Sequence, residues 1–207
     1  MAQLQLQYDS MGTQSIKTKA LNLLFVFQVN CPGCFAYGIP MVNQLIKEFD
    51  KEEIGFLGLS TAFEDFALNT AEHTQLLLKE QKPVGETLKM LAQYGFDHYP
   101  ESIDFPVVMD RLLTPNDNSV AEVIDLMCAA NPGFASWPAS QQNLLRGRIR
   151  EYLGGLEKVA YTFTANHFRG TPTFVVYNSD MEILEQWFGH VAYEQLAESL
   201  KNLIPQS

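Results

Sequence analysis

Two predominantly apolar runs, separated by a segment with helical spacing, set the pattern of the N-terminal part of the chain. The runs Leu21–Phe27 and Ile54–Ser60 hold few polar residues, which is typical of strands covered on both faces. Between them, from Met41 to Phe49, apolar residues recur at the intervals of an amphipathic helix. A strand, a helix and a strand joined by short connections predict a parallel pair of strands.

Further segments extend this pattern to a sheet covered by helices. Residues 105–110 predict a third parallel strand, and residues 3–8 alternate between polar and apolar as in a short edge strand. Residues 174–177 and 181–188, separated by a turn, predict a β-hairpin before a closing amphipathic helix. Helices are also predicted over residues 69–79, 86–94, 119–130, 138–153 and 156–166, the first and third from capping boxes that begin at Asn69 and Ser119.

Length and composition indicate a globular chain of one domain or two small ones. The chain has 207 residues, of which 46% are hydrophobic and 18% charged, and a chain of this size can bury a substantial core. The helices predicted within residues 112–155 lie between sheet elements. We therefore expect residues 1–207 to form a single domain that contains a helical insertion at 112–155.

The net charge and the N-terminal sequence limit the binding partners and the cellular locations that we expect. A formal net charge of −10 argues against nucleic acid or an anionic membrane as the main partner. The N-terminus lacks the basic and apolar regions of a signal peptide, and no run approaches the roughly 18 apolar residues of a membrane span. We expect a cytoplasmic protein, or a periplasmic one if a leader has been removed.

The sequence Cys31-Pro32-Gly33-Cys34 lies where the first apolar run meets the helical segment. A cysteine at a helix N-terminus faces unpaired N–H groups and the positive end of the helix dipole, which favour the thiolate. A second thiol one turn later is placed to attack any mixed disulfide that the first one forms. The motif therefore predicts reversible dithiol–disulfide exchange by Cys31 and Cys34.

A zinc site and a structural disulfide are weaker interpretations of the cysteine pair. A zinc site needs more ligands, but the only other cysteine is Cys128 and the four histidines show no ligand-like spacing, so we expect no metal. A structural disulfide that closes so short a loop would add little stability. Cys128 itself lies in an apolar helical turn, where we expect a small buried hydrophobic residue, with a third redox cysteine as the alternative.

A second motif, Gly170-Thr171-Pro172-Thr173, precedes the β-hairpin and the final helix. Together with the dithiol at a strand-to-helix junction, it resembles the thioredoxin superfamily, and the additional strand over residues 105–110 is similar to its TlpA-like, peroxiredoxin-related branch. The resemblance covers about half of the chain. It implies an α/β thioredoxin-like fold, with a central mixed β-sheet flanked by helices and extended here by the helical insertion.

The resemblance also implies a role for the second motif. Thr171-Pro172 would be a cis peptide bond beside the dithiol, and the exposed backbone of Thr171 would pair with a substrate strand. On the dipeptide alone, an ordinary trans proline at the start of a strand would be the better interpretation. With the Cys31 motif upstream, we favour cis and assign substrate binding to Thr171 and Pro172.

The chain departs from the thioredoxin pattern at four positions. Phe25 stands where thioredoxins carry a buried Asp, Asn30 where they usually carry Trp, and Phe35 where a cation is common. Pro40 follows Cys34 by six residues, one more than usual, which a one-residue bulge or a shifted alignment would explain. Without a cation near the motif in sequence, the acidity of Cys31 has to come from the helix terminus or from distant residues.

The acidic residues after the second strand are candidates for a proton acceptor of Cys34. Glu64 and Asp65 follow that strand, at the sheet edge where the active sites of parallel α/β folds collect, and TlpA-like chains often hold an acid near here. A solvated loop charge is an equally good interpretation of either residue.

The function we predict is a thiol–disulfide oxidoreductase, in which Cys31 attacks a substrate disulfide and Cys34 resolves the mixed disulfide. The partners would be protein thiols or disulfides and a redox partner protein, with no bound cofactor, and the cytoplasmic expectation favours the reducing direction. One alternative is a peroxiredoxin-like thiol peroxidase, although no threonine and arginine pair is evident near Cys31. Another is a non-catalytic, redox-sensing binding module that uses the insertion as a docking surface.

Overall fold

The computed structural model describes residues 2–11, 16, 18–49 and 53–204. The strands in these ranges are β1 (Tyr8–Ser10), β2 (Leu21–Phe27), β3 (Ile54–Ser60), β4 (Val107–Asp110), β5 (Leu112–Leu113), β6 (Val159–Ala160), β7 (Thr173–Asn178) and β8 (Ile183–Phe188). The α-helices are α1 (Ile39–Glu48), α2 (Ala71–Glu80), α3 (Gly85–Gln93), α4 (Ser119–Ala129), α5 (Ala139–Gly154), α6 (Tyr161–Ala165) and α7 (Tyr193–Leu203). Among the residues described, none of the helices combines the length and the apolar character needed to span a bilayer.

The main sheet has six strands within the described ranges, in the order β1-β4-β3-β2-β7-β8. The central strands β2, β3 and β4 are parallel, and β1, β7 and β8 are antiparallel to their neighbours. Every residue of β2 is buried, as its continuous apolar sequence requires. The predicted α/β class, with a central mixed sheet flanked by helices, is confirmed.

Alternate residues of β2 supply the two faces of this sheet. Leu23 and Phe25 belong to the cluster that includes α1 and α7, whereas Leu24 packs on the other face. Phe25 stacks against Phe27 and Phe174, with ring centroids 5.3 and 5.2 Å apart. Burying an aromatic side chain of this kind completely contributes about 1.5–3 kcal/mol, so these rings stabilise the β2–β7 pair and the buried cluster that also contains Cys34.

The segment between β5 and β6 has a hydrophobic cluster of its own. Val123 and Cys128 from α4 pack with Leu153 of α5 and Tyr161 of α6. Cys128 is fully buried, as we expected for a small hydrophobic residue, and burial raises the pKa of its thiol. The helices of this segment therefore pack around a local hydrophobic core, which is separate from the clusters on the two faces of the main sheet.

Two predicted elements were wrong in their extent. The edge strand is Tyr8–Ser10 instead of residues 3–8, and Gln3 makes only an isolated bridge to Glu182. Residues 156–166 form strand β6 followed by the short helix α6 instead of one helix. Pairing with β5 holds Val159–Ala160 in an extended conformation, and this tertiary contact overrides the local helical spacing.

The N-cap residues of both helices lie one residue away from the predicted ones, in opposite directions along the chain. Thr70, not Asn69, is the N-cap of α2, and its Oγ1 accepts a hydrogen bond from the His73 N–H at 3.1 Å. Asn118 is the N-cap of α4, so Ser119 is already helical. The first displacement leaves the Asn69 side chain available for a contact with the chain that leads to the dithiol.

Candidate active site

The dithiol lies where β2 passes into the first helix. The backbone is helical from Pro32 onward, so Cys31 immediately precedes the helix. The Cys34 N–H donates to Cys31 Sγ at 3.3 Å, which uses one of the donors that a helix N-terminus leaves unpaired. Cys34 is fully buried and Cys31 is partly exposed. Cys31 is therefore the sulfur that a substrate can reach.

The extra residue between Cys34 and Pro40 is taken up by a π-helical turn. Residues Cys34–Gly38 form this turn, and α1 follows without a break, which is the geometry produced by one inserted residue. Within the turn, Gly38 lies so close to Phe25 that an added Cβ would be 2.8 Å from its ring. The one-residue bulge therefore accounts for the Pro40 spacing.

The two thiols differ in acidity for local reasons. The pKa of Cys31 is lowered from its ordinary 9.0 to about 7, mainly by the hydrogen bond with the Cys34 side chain. Burial opposes this shift, and hydrogen bonds with Thr171 and with backbone N–H groups add to it. Burial raises the pKa of Cys34 well above its ordinary value, and the hydrogen bond and charge of Cys31 raise it further. Near neutral pH, Cys31 supplies a thiolate while Cys34 stays protonated.

The second sequence motif lies against the first. The Thr171–Pro172 peptide bond is cis, and the Thr171 carbonyl oxygen is 3.6 Å from Cys31 Sγ. The Thr171 Oγ1 donates to Gln28 Oε1 at 3.2 Å, and Gln28 Nε2 donates to the Glu64 carbonyl at 3.4 Å. Gln28 is 2% exposed. Its role was not predicted, although a glutamine at the end of an apolar strand was a usable signal.

Comparison with solved structures identifies the architecture. A thiol-disulfide isomerase from Corynebacterium glutamicum superposes with a TM-score of 0.59 at 18% identity, over 100% of this chain and 97% of that one. A thioredoxin-like superfamily protein gives a TM-score of 0.53 at 19% identity, over 100% and 96% of the two chains. This chain has a thioredoxin-like fold. No protein-family model matches the sequence, and no curated protein matches it at a significant level.

At the position where thioredoxins usually carry Trp, Asn30 joins three elements of this thioredoxin-like fold. Its Nδ2 donates to Asp65 Oδ2 at 2.8 Å, its Oδ1 accepts from the Glu86 N–H at 2.6 Å, and its own N–H donates to Asn69 Oδ1 at 3.0 Å. An added Cβ at Gly85, where φ is +58°, would lie 2.2 Å from Asn30 Oδ1. Asn30 thus fixes the chain immediately before Cys31.

Neither of the acidic residues considered as a proton acceptor touches Cys34. Glu64 is exposed, and its backbone carbonyl, not its carboxylate, accepts the bonds from Gln28 and Asn69. Asp65 is exposed and accepts from Asn30. In the structure Asp65 is a partner of the residue before Cys31, which is a positioning contact.

A buried carboxyl that was not predicted as a site residue lies at the end of β4. Asp110 is fully buried and accepts from Thr61 Oγ1 at 2.7 Å and from the N–H groups of Thr162 and Phe163 at 2.8 and 3.0 Å. Burial raises its pKa to about 6 against these hydrogen bonds. Asp110 thereby ties the start of α6 to β3 and β4, and it explains why a helix begins at Tyr161.

The described residues contain no group of three or more His, Cys, Asp or Glu side chains arranged to hold a metal ion.

Tyr37 packs over the dithiol motif, since an added Cβ at Gly33 would lie 3.3 Å from its ring. The His190 ring contacts Tyr37 at a centroid distance of 4.8 Å. Burial, with the charges of Cys34 and Cys31, raises the pKa of Tyr37 to about 12. The Tyr37 ring therefore lies against Gly33 of the dithiol motif, with the His190 ring beside it.

Proposed function

We propose that this protein is a thiol–disulfide oxidoreductase that exchanges a Cys31–Cys34 dithiol or disulfide with protein substrates. The observation that carries the proposal is the asymmetry of the pair. Cys31 is accessible with a pKa of about 7, and Cys34 is buried with a raised pKa one turn later. A low-pKa accessible thiol beside a protected resolving thiol is the arrangement that disulfide exchange requires.

In the reducing direction, the Cys31 thiolate attacks one sulfur of a substrate disulfide. A new S–S bond forms, the substrate bond breaks, and the departing substrate sulfur takes a proton. Cys34 then loses its proton and attacks Cys31, which releases the second substrate thiol and leaves a Cys31–Cys34 disulfide. Two electrons pass to the substrate, and a partner protein dithiol returns them by the reverse exchange.

The cis Thr171–Pro172 segment supplies the substrate-binding surface in this proposal. The Gly170 carbonyl accepts from Thr173 Oγ1 and the Pro172 carbonyl accepts from the Gly189 N–H, whereas the Thr171 carbonyl accepts from Cys31 Sγ itself. An extended substrate segment that pairs with Thr171 would bring its sulfur to Cys31, because the Thr171 carbonyl is only 3.6 Å from Cys31 Sγ.

The TlpA-like branch, the single domain with an insertion and the reducing direction of exchange belong to the same proposal. The third parallel strand, β4, supports a TlpA-like assignment, and the separate cluster around Val123 supports residues 112–155 as an insertion in one domain. We propose the reducing direction in a cytoplasmic setting. Equilibration with glutathione tests it, because a reductant needs a potential below roughly −230 mV, whereas a strong oxidant lies near about −120 mV.

Reduction of insulin disulfides by dithiothreitol, followed as turbidity, tests the proposal directly. The wild type should accelerate reduction, Cys31→Ser should fall to the uncatalysed rate, and Cys34→Ser should accumulate a mixed disulfide at Cys31. Cys128→Ser is the matched control and should keep full activity, because Cys128 lies in a separate cluster. Rapid peroxide consumption without insulin reduction would instead establish a peroxidase, and partner binding that survives Cys31→Ser would establish a non-catalytic module.

A further inference from the structure

A cationic side chain and an exposed aromatic ring lie together beside the substrate-binding segment. The Arg169 guanidinium carbon is 5.4 Å from the centroid of the Phe188 ring, a distance typical of a cation–π contact. Phe188 is 45% exposed and Arg169 is also exposed. Over the described residues, Arg169 has no carboxylate within ion-pair distance. The pair thus presents an apolar surface and an available positive charge at one place.

The backbone fixes this pair next to the dithiol. Arg169 precedes Thr171 by two residues, and Phe188 lies opposite Thr173 in the β7–β8 register. The Gly189 N–H donates to the Pro172 carbonyl at 2.9 Å. At Gly170, with φ +158°, an added Cβ would lie 2.7 Å from the Phe188 ring. The ring therefore packs directly on the backbone that leads to the cis proline.

The segment before Cys31 and the segment before the cis proline carry exposed side chains of opposite charge, Asp65 and Arg169. Before Cys31, Asn30 binds the exposed Asp65 carboxylate and the backbone N–H of Glu86, whose own carboxylate pairs with Lys89 Nζ at 2.6 Å. Beside the cis-proline segment lie Arg169 and Phe188. In a chain of net charge −10, a cation without a carboxylate partner among the described residues, two residues before the carbonyl that contacts Cys31 Sγ, is a local reversal of charge. An approaching segment is thus oriented by its own charge distribution.

We propose that Arg169 and Phe188 form a recognition subsite for a client segment that carries an acidic and an apolar side chain next to its reactive cysteine. This inference rests on the proposed function and adds the chemistry of the client. The guanidinium pairs with the carboxylate, for which its planar donors are suited. The apolar side chain covers the exposed face of Phe188, and the cysteine between them reaches Cys31.

Three synthetic peptides that differ at one residue test the subsite. Each carries one cysteine as a mixed disulfide with thionitrobenzoate, a leucine, and either Asp, Asn or Lys beside the cysteine. The Cys31 thiolate attacks the peptide sulfur, the peptide–thionitrobenzoate bond breaks, and the coloured thionitrobenzoate thiolate leaves. Stopped-flow absorbance gives the second-order rate constant, and a Cys34→Ser background limits the reaction to this single exchange.

The expected order of rate constants is Asp above Asn above Lys, with steps of about two- to fivefold, the size expected for exposed ion pairs. Arg169→Glu should invert the order, and Arg169→Lys should retain it. Phe188→Ala should slow all three leucine peptides while keeping their order. Arg148→Glu, an exposed arginine on α5, is the matched control and should change nothing. Raising the salt concentration should compress the differences.

Each variant is normalised by its alkylation rate with neutral iodoacetamide, which removes any effect of Arg169 on the acidity of Cys31. An unchanged order in Arg169→Glu, or equal rates for all three peptides with the wild type, would overturn the subsite and leave the oxidoreductase intact. A wild type that releases no thionitrobenzoate from any peptide would overturn the proposed function itself.

Discussion

The acidity of Cys31 is set mainly by its hydrogen bond with the Cys34 side chain, so removing that side chain should shift the ionisation of Cys31. A fall in pKa from 9.0 to about 7 corresponds to about 2.7 kcal/mol of thiolate stabilisation relative to the thiol. Cys34→Ala keeps the backbone N–H of residue 34 and loses the side-chain donor. Its Cys31 pKa should lie above that of the wild type and towards 9.0.

The size of the kinetic effect follows from two opposing terms. At pH 7, a thiol with a pKa of about 7 is about half ionised, and one with a pKa of 9.0 is about 1% ionised. That gain of about fiftyfold is reduced about six- to tenfold by the lower nucleophilicity of the more acidic thiolate. The wild type should therefore be alkylated about five- to eightfold faster than a thiol of ordinary acidity at pH 7, and more slowly than it above about pH 8.

Iodoacetamide rates between about pH 5 and pH 10, in a Cys128→Ser background, measure this directly, and thiolate absorbance at 240 nm gives the same midpoint independently. The rate profiles of the wild type and Cys34→Ala should cross. Cys34→Ser, which keeps a hydroxyl donor, should lie between them. A wild-type midpoint near 9, or profiles for the wild type and Cys34→Ala that coincide, would refute the assignment of Cys34 as the main source of the acidity.

Three further changes test the supports of the site. The folded-state pKa of Asp110 is raised to about 6, so its contribution stabilises the fold at low pH and is lost as pH rises through about 6. Between about pH 4 and pH 7, the free energy of unfolding of the wild type, measured with urea, should fall by up to about 3 kcal/mol relative to that of Asp110→Asn. Asn30→Ala removes two side-chain hydrogen bonds and should lower the free energy of unfolding by about 1–3 kcal/mol. It should also raise the Cys31 pKa measured by alkylation, and an unchanged pKa would mean that Asn30 only stabilises the fold. Gly38→Ala places a Cβ 2.8 Å from the Phe25 ring and should destabilise the fold by about 1–3 kcal/mol, whereas Gly147→Ala, in open space, should not.

The parts of the fold that local spacing encodes were predictable. The buried strands β2 and β3, the helices α4 and α5, and the dithiol at a strand-to-helix junction all follow from apolar periodicity and from helix-terminus chemistry. Even the π-helical turn left a signal, since Pro40 is one residue later than the thioredoxin pattern places it. These features depend on residues that are neighbours in the sequence.

The missed features depend on partners that are distant in the sequence. Asn30 gains its role from Asp65 and Glu86, which are 35 and 56 residues away. The helix predicted over residues 156–166 begins only at Tyr161 because β6 pairs with β5 and because Asp110, 52 residues from Thr162, accepts the first N–H groups of α6. Neither contact is visible in local hydrophobic spacing, which reports only which face of an element is buried.

With Phe25 in place of the usual buried Asp, no carboxylate of the described residues is among the causes that shift the pKa of Cys34, and those causes bear on how the proposed exchange would proceed. After burial, the largest contributions are the hydrogen bond and the charge of Cys31. Both vanish when Cys31 enters a mixed disulfide, because its sulfur is then neutral and carries no proton. Hydrogen bonds with the Gln28 backbone and Thr171, which lower the pKa of Cys34, remain. In the proposed exchange, Cys34 thus becomes easier to ionise at the step that needs its thiolate, with neutral donors in place of a buried acid.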